Sequence, residues 1–283
     1  MANQLSEIFD AQLWREVQGF EQLTDITYHK HNQLGIVRVA FNRPEVRNAF
    51  NDEVIAELKA AFEAAGQAPD VRCVVLAAEG PAFCAGADLN WMRRMADYTR
   101  DQNLADAAQL AAMLRAIYTC AKPTLARVQG DVYAGGLGLV AACDMAVSVD
   151  TAHYCLSEVK IGLIPATISP YVVRAIGARQ SYRYFQSAER IDAVRAHELG
   201  LVHEAVEPEQ LDAKVQEIVD ALIQGGPLSQ AAAKDLIRAV DNKPINDAVV
   251  EDTAQRIAGL RATPEAQDGL SAFLDKRQPR WLA

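Results

Sequence analysis

Apolar and polar positions alternate over Ile26-Thr-Tyr28 and Ile36-Val-Arg-Val-Ala-Phe41. This period of two predicts two short strands turning around Asn32-Gln-Leu-Gly35 and closed by Pro44. After Asn51, a good N-cap, the period lengthens: Val54, Ile55, Leu58 and Phe62 line one side and Glu53, Glu57 and Lys59 the other, predicting a helix that ends near Gly66 and Pro69. Val71 to Ala77 is nearly all apolar, as in a strand covered on both faces. A second round follows, with a glycine-containing loop at 80–87, helices over 88–96 and 101–120, and a strand from Pro123 to Val128. A third has the loop Gly130 to Gly136, a short helix to about Cys143, and the strand Met145 to Val149. Strand and helix alternate, which predicts an α/β fold. Apolar spacing over 211–224, 228–240, 245–261 and 265–276 predicts helices to the end of the chain.

No repeat or low-complexity linker divides the 283 residues. The expected organisation is a leader over 1–24 with an amphipathic hint at Phe9, Leu13, Trp14 and Val17, a core over 25–207 and a helical region over 208–283. Lys and Arg number 28 against 37 Asp and Glu, a net charge of −9, which is the wrong sign for nucleic acid or anionic lipid partners. The longest charge-free apolar stretches, 132–143 and 161–173, fall short of the roughly 18–20 residues that cross a bilayer, so no membrane span is expected. Residues 1–20 carry Glu7, Asp10 and Glu16 and no basic-then-apolar signal pattern. The five cysteines show no CxxC spacing and read as buried thiols of a reducing compartment; a cytoplasmic address is expected. His197 to His203 lacks HExxH spacing, so no metal site is expected.

Two loops each end a strand and open a helix, Gly80-Pro-Ala-Phe-Cys-Ala-Gly-Ala-Asp88 and Gly130-Asp-Val-Tyr-Ala-Gly-Gly136. A helix start presents unpaired N–H groups and partial positive charge, so two such starts aimed at one point would make an oxyanion hole. A tight strand-to-helix turn explains either loop taken alone, and an N-cap explains Asp88. Gly136-Leu-Gly138-Leu-Val-Ala141 fits GxGxxA, with Glu158 20 residues beyond Gly138. The helix there is too short for a dinucleotide-binding crossover, so nicotinamide and flavin are not expected. Glu158 stands as a lone acid in the apolar run Tyr154 to Pro165. Burial against Leu156, Ile161 and Ile164 would raise its pKa toward that of a proton-transfer group, whereas an exposed pair with Lys160 on one strand face would leave it structural.

Together these residues resemble the enoyl-CoA hydratase/isomerase (crotonase) family. The matching pieces are Asn42 to Phe50, Phe83-Cys-Ala-Gly-Ala-Asp-Leu89, Lys122-Pro-Thr with Gly130 to Asp144, Ser157-Glu158 with Gly162-Leu-Ile-Pro165, Ala196 to Val202, and Gly269 to Arg277, in family order. The resemblance implies an α/β spiral of ββα turns with a C-terminal helical trimerisation region, assembling as a homotrimer or homohexamer. It implies an acyl-CoA substrate and no cofactor beyond the CoA thioester. It places the thioester oxygen on the amides of Ala87 and Gly135, with Glu158 as the acid–base group. CoA and substrate contacts fall to Arg47, Ala49, Ala85, Asp88, Leu89 and Gly136, and, at the nucleotide end and often across a subunit boundary, to Phe273 and Lys276. An acyl pocket would draw on Trp91, Met95, Tyr133 and Tyr171.

The chain departs from the family where hydratases carry a first glutamate: Gly138 stands there, giving up a general base and, by expectation, gaining space. Ala87 to Met92, Gly135 to Leu139 and Leu163 to Tyr171 are similar to methylglutaconyl-CoA and isohexenylglutaconyl-CoA hydratases. This implies hydration of a branched or carboxylated 2-enoyl-CoA, with the substrate carboxylate or Asp131 orienting water. A Δ3,Δ2-enoyl-CoA isomerase needs only one glutamate and is the alternative. The front of the chain resembles dihydroxynaphthoyl-CoA synthase, which adds ring closure as an alternative although residues 164–170 lack that enzyme's Asp-Gly-Gly segment; a non-catalytic family member is a further reading.

Overall fold

The computed structural model describes residues 11–282. Its elements run β1 (Trp14–Glu16), β2 (Ile26–His31), β3 (Ile36–Phe41), α1 (Asp52–Gln67), β4 (Cys73–Ala78), α2 (Leu89–Ala96), α3 (Arg100–Thr119), β5 (Thr124–Val128), β6 (Val132–Tyr133), α4 (Gly135–Ala142), β7 (Met145–Val149), β8 (His153–Cys155), α5 (Ser169–Ser187), β9 (Ile191–Asp192), α6 (Ala193–Glu198) and β10 (Glu204–Val206). Four helices follow: α7 (Leu211–Gln224), α8 (Pro227–Val240), α9 (Asp247–Arg261) and α10 (Pro264–Leu274).

β1-β2-β3-β4-β5-β7-β10 form one sheet, antiparallel over β1 to β3 and parallel from β3 onward, as expected when helices connect the strands. All six residues of β4 are buried. Successive side chains of a strand point to opposite faces, so both faces of the sheet are covered there. α7 packs across β4, β5 and β7, and α1 lies against β2, β3 and α3. Asn51 caps α1 as its position predicts, its Oδ1 accepting from Val54 N–H. β6, β8 and β9 make a second, three-stranded sheet that carries the two loops of chemical interest.

The α/β expectation agrees with this architecture, and the helices over 211–224, 227–240, 247–261 and 264–274 lie close to the intervals that apolar spacing predicts. The leader differs. Trp14 to Glu16 pair with β2 as an edge strand instead of continuing an amphipathic helix, and Val17, Phe20 and Leu23 pack on the core. Of the leader's apolar positions, Phe9 lies outside the described residues. Glu57 holds the next stretch: its carboxylate accepts from the N–H groups of Thr24, Asp25 and Ile26.

The C-terminal helices are tied to the sheet by charged side chains. Asp144 accepts from the amide and hydroxyl of Thr124 and pairs with Lys234 of α8 at 2.7 Å; Arg72 donates to the carbonyls of Ile223, Gly225 and Trp281. Lys234 is 10% exposed, so removing its partner strands a largely desolvated cation. Asp144→Ala is expected to lower unfolding stability by about 2–4 kcal/mol, read as the shift of the denaturation midpoint at constant slope.

Candidate functional site

The loop at 80–88 is laced between two other segments. On one side Ala85 N–H donates to Arg47 O (3.0 Å), Phe50 N–H donates to Gly86 O (2.9 Å) and Asp88 N–H donates to Phe50 O (2.9 Å). On the other, the amides of Phe83 and Cys84 donate to Asp131 O, and Tyr133 N–H donates to Cys84 O (2.8 Å). Phe50 thus bonds the residues on either side of Ala87, a parallel bridge that turns the N–H of Ala87 itself away from Phe50. Gly86 makes this possible with φ +92; a Cβ there would stand 3.1 Å from Ala134 Cβ.

The second loop meets the same residue. A Cβ on Gly135 would stand 2.4 Å from Phe50 Cζ, and one on Gly136 would stand 3.0 Å from Cys84 Cβ. Only glycines let the two loops approach this closely. Ala134, just before α4, takes φ 47 and ψ −123, a conformation that costs an L-residue about 1–3 kcal/mol. Its N–H donates to Cys155 O at 2.8 Å, which holds the loop to β8.

The two helix starts are not equivalent, and Asp88 is the N-cap that its position predicts. Asp88 caps α2, Oδ1 accepting from the N–H groups of Asn90 and Trp91 and Oδ2 pairing with Arg43 at 3.2 Å, so that end is already neutralised. α4 has no side-chain cap, and Gly135 opens it with its amide free of an intrahelical acceptor. The Ala87 amide belongs to the strand-like segment before α2, whereas the Gly135 amide stands at a helix start. Burial alone would raise the Asp88 carboxyl, but the two backbone amides and Arg43 outweigh it and hold the pKa below the usual carboxylate range.

Glu158 opens a 3-10 turn (Glu158–Ile161) three residues after β8 ends, not a strand face. Burial pushes its carboxyl above the usual carboxylate range, partly offset by its own backbone N–H, and Oε2 is buried without a protein hydrogen-bond partner. Lys160 is exposed and forms no ion pair with it among the described residues. The burial does not come from the residues expected: Leu156 is buried, but Ile161 is 59% and Ile164 71% exposed.

Gly138 corrects a second expectation, because it opens no space. A Cβ there would meet Ile168 Cγ2 at 2.2 Å and Ile168 Cβ at 2.6 Å, so Ile168 already fills the place of the absent glutamate. Asp131 is also committed elsewhere: its carboxylate accepts from His153 N–H and pairs with Arg190 at 3.6 Å, holding β8 and β9 beside β6.

Among the other expected residues, Arg47, Ala85 and Tyr133 gather around one cavity of about 330 Å³, with Gln129, Asp131 and Thr151. Ala49 is buried, and its carbonyl accepts from Arg43 at 2.7 Å. Trp91 is buried with its ring 5.8 Å from Phe50 and its indole N–H on Asp106; Met95 packs on the core edge and Leu89 is exposed. Tyr171 lies in a different cleft from Arg47, Ala85 and Tyr133. It packs edge-on against Tyr118, 5.5 Å away, in a cleft shared with Arg174, Lys234 and Arg238. α10 packs on α8 and α9, leaving Phe273 83% exposed and Lys276 exposed just beyond it. Sequence reasoning missed Phe50, Arg43 and Ile168 as positioning residues, since a lone apolar or basic residue outside a periodic stretch carries no local signal.

No group of three or more His, Cys, Asp or Glu side chains among the described residues is placed to hold a metal ion. A family model described as enoyl-CoA hydratase/isomerase matches residues 31–283. An enoyl-CoA hydratase structure from Shewanella pealeana superposes with a TM-score of 0.89 at 40% identity, covering 92% of this chain and 97% of that one. A 1,4-dihydroxy-2-naphthoyl-CoA synthase of Mycobacterium tuberculosis is 31% identical over 290 aligned positions, 96% of this chain and 92% of that protein. An enoyl-CoA hydratase of Alternaria alternata is 33% identical over 216, or 76% and 70%.

The depressed carboxyl of Asp88 gives its stabilising contribution above the ordinary carboxylate pKa and loses it as pH falls through the folded-state pKa. Asp88→Ala is expected to lower stability by about 1–3 kcal/mol at pH 7 through loss of the cap and the Arg43 pair. Its difference from the parent protein, followed by thermal melting, should close on acidification.

Proposed function

Because the chain belongs to the enoyl-CoA hydratase/isomerase family, we propose that it is a hydro-lyase of 2-enoyl-CoA thioesters with Glu158 as its one proton carrier. The observation that carries this reading is a half-buried carboxylate, one of its oxygens without a protein partner, on the turn that follows β8, whose Cys155 carbonyl bonds the loop opening α4. In this reading the thioester oxygen accepts from the amides of Ala87 and Gly135. Glu158 takes a proton from water as the water oxygen bonds C3, and the displaced electron pair becomes an enolate held by the two amides. The same carboxyl then returns the proton to C2, leaving a 3-hydroxyacyl-CoA and an ionised Glu158. A pKa raised by burial above the usual carboxylate range suits a group that must both accept and donate.

The branched or carboxylated acyl group rests on the likeness of 87–92, 135–139 and 163–171 to such hydratases. A second reading, isomerisation of a 3-enoyl-CoA, is favoured by Ile168: with the room at Gly138 filled by an apolar side chain, no second carboxylate faces Glu158 from α4. There Glu158 removes a proton at C2 and returns it at C4. Ring closure, the alternative that the likeness of the chain's front to dihydroxynaphthoyl-CoA synthase implies, would show as neither water uptake nor double-bond migration.

Exposed apolar side chains on and around the C-terminal helices, among them Ile237, Ile245, Leu270, Phe273 and Leu274, support a homotrimer or homohexamer in which Phe273 and Lys276 reach a neighbour's CoA. Five free thiols, four of them buried, suit the cytoplasm, and no helix among the described residues is long and apolar enough to cross a membrane.

Glu158→Gln is expected to lower kcat about 10²–10⁴-fold with KM little changed. Turnover at parental rate would remove Glu158 from the mechanism. The parent's kcat/KM should fall on acidification through a pKa above the usual carboxylate range, and that limb should vanish in the variant. Stability takes the opposite sign. A carboxyl whose folded-state pKa is raised destabilises the fold once pH rises above its unfolded value, so Glu158→Gln should melt above the parent at neutral pH and level with it in acid. Incubating 2-enoyl and 3-enoyl thioesters in H2¹⁸O with mass detection separates the readings: ¹⁸O in a 3-hydroxy product selects hydration, migration without uptake selects isomerisation.

A further inference from the structure

Glu158 is held in place from two ends. Before it, Cys155 O accepts from Ala134 N–H and Leu156 is buried; after it, Ile168, 1% exposed, ends the connecting segment and caps α5. Between these anchors Ile161, Leu163 and Ile164 face outward, while Pro165 is buried and the turn Glu158–Ile161 packs against α5. Both anchors rest on one structural unit, the loop before α4 and α4 itself. Ile168 reaches α4 only because position 138 lacks a side chain: an added Cβ would lie 2.2 Å from Ile168 Cγ2, 2.6 Å from Ile168 Cβ and 3.4 Å from Leu114 Cδ2. Ile168 Cβ and Cγ2 are the stiff, branched base of that side chain, not a flexible end that could swing aside. Gly138 lies three residues after Gly135, on the same side of the short helix. A side chain at 138 would therefore displace the segment carrying Glu158 relative to the Gly135 amide.

We propose that Ile168 is the reaction-selecting residue of this site: seated in the notch at Gly138, it sets where Glu158 stands and takes the room of a second carboxylate, which commits the site to one proton carrier. Ile168 touches no reacting atom in this scheme and acts through Glu158 as a positioning residue. The inference rests on the reading of Glu158 given above. It also explains why truncation to alanine would not free the notch, because the Cβ at 2.6 Å would remain.

The test is a double-mutant cycle on Gly138→Glu and Ile168→Gly, with Gly138→Ala and Ile168→Gly as a smaller pair should the first not fold. Melting temperature, kcat and KM are read on crotonyl-CoA and a 3-enoyl-CoA in H2¹⁸O. Gly138→Glu and Gly138→Ala are each expected to lower the melting temperature and to lower kcat about tenfold or more with KM changed less, since Glu158 is displaced. Adding Ile168→Gly should return part of both losses. In Gly138→Glu/Ile168→Gly the ratio of hydration to isomerisation should rise at least about tenfold over the parent, the effect of a regained general base. Additive melting losses, or a product ratio unchanged in the double variant, would overturn the role of Ile168. Glu158→Gln run alongside separates the two levels: parental turnover there removes the single-carboxylate reading, while lost turnover there with an unchanged ratio in the double variant removes only the role of Ile168.

Discussion

The packing of two glycine loops on Phe50 is the constraint on which the rest of the site depends. The backbone of Phe50 bonds the residues flanking Ala87, and its ring lies where Gly135 would carry a Cβ. One buried residue therefore templates the strand-like segment before α2 and sets how closely α4 approaches it. Each of its two hydrogen bonds contributes on the order of 1 kcal/mol, enough together to offset much of the strain held at Ala134. The strain has a purpose in the proposed chemistry. It turns the chain sharply enough that the Gly135 amide opens a helix beside Ala87, so donors for a developing oxyanion need no rearrangement when charge appears.

Glu158 represents the opposite bargain, a local loss of stability kept for reactivity. A carboxylate with one oxygen buried and unpartnered destabilises the folded chain, and a fold selected for stability alone would place an apolar or amide side chain there. The turn packs on α5, and the chain on either side of it is held on the unit that contains Gly135, Cys155 O accepting from Ala134 N–H and Ile168 filling the notch at Gly138. In the proposed reading the acid and the oxyanion donor are thus both tied to that short piece of chain.

Much of the frame was legible in the sequence. Asn51 and the apolar positions after it mark α1, the continuous apolar run marks β4, and the C-terminal helices follow their own periodicity, because each of these signals is local. The pieces that were not legible are short or depend on distant partners. β1 has three residues and exists only as an edge of β2; β6 and β9 have two residues each. Apolar letters suggested that Ile161 and Ile164 bury Glu158, but apolarity predicts burial only on average, and both sit on the outside of a turn. Gly138 shows the limit most plainly. A glycine replacing a glutamate reads as room gained, and only the fold reveals that Ile168, far along the chain, occupies it.

The asymmetry between the two helix starts has a physical logic. Asp88 places a negative charge one residue after the amide expected to face an enolate, and an uncompensated carboxylate there would oppose anion binding. Its charge is taken up by the amides of Asn90 and Trp91 and by Arg43, whose other contacts run to Asp25 and to the carbonyl of Ala49, so the guanidinium joins the start of β2, the Phe50 segment and the α2 start. α4, by contrast, is built from Gly-Gly-Leu-Gly-Leu-Val-Ala-Ala and carries no side chain able to compete for its own first amide. One donor is made available by neutralising what lies next to it, the other by leaving a helix end uncapped. In both, residues that never touch substrate determine whether a backbone N–H is free to act.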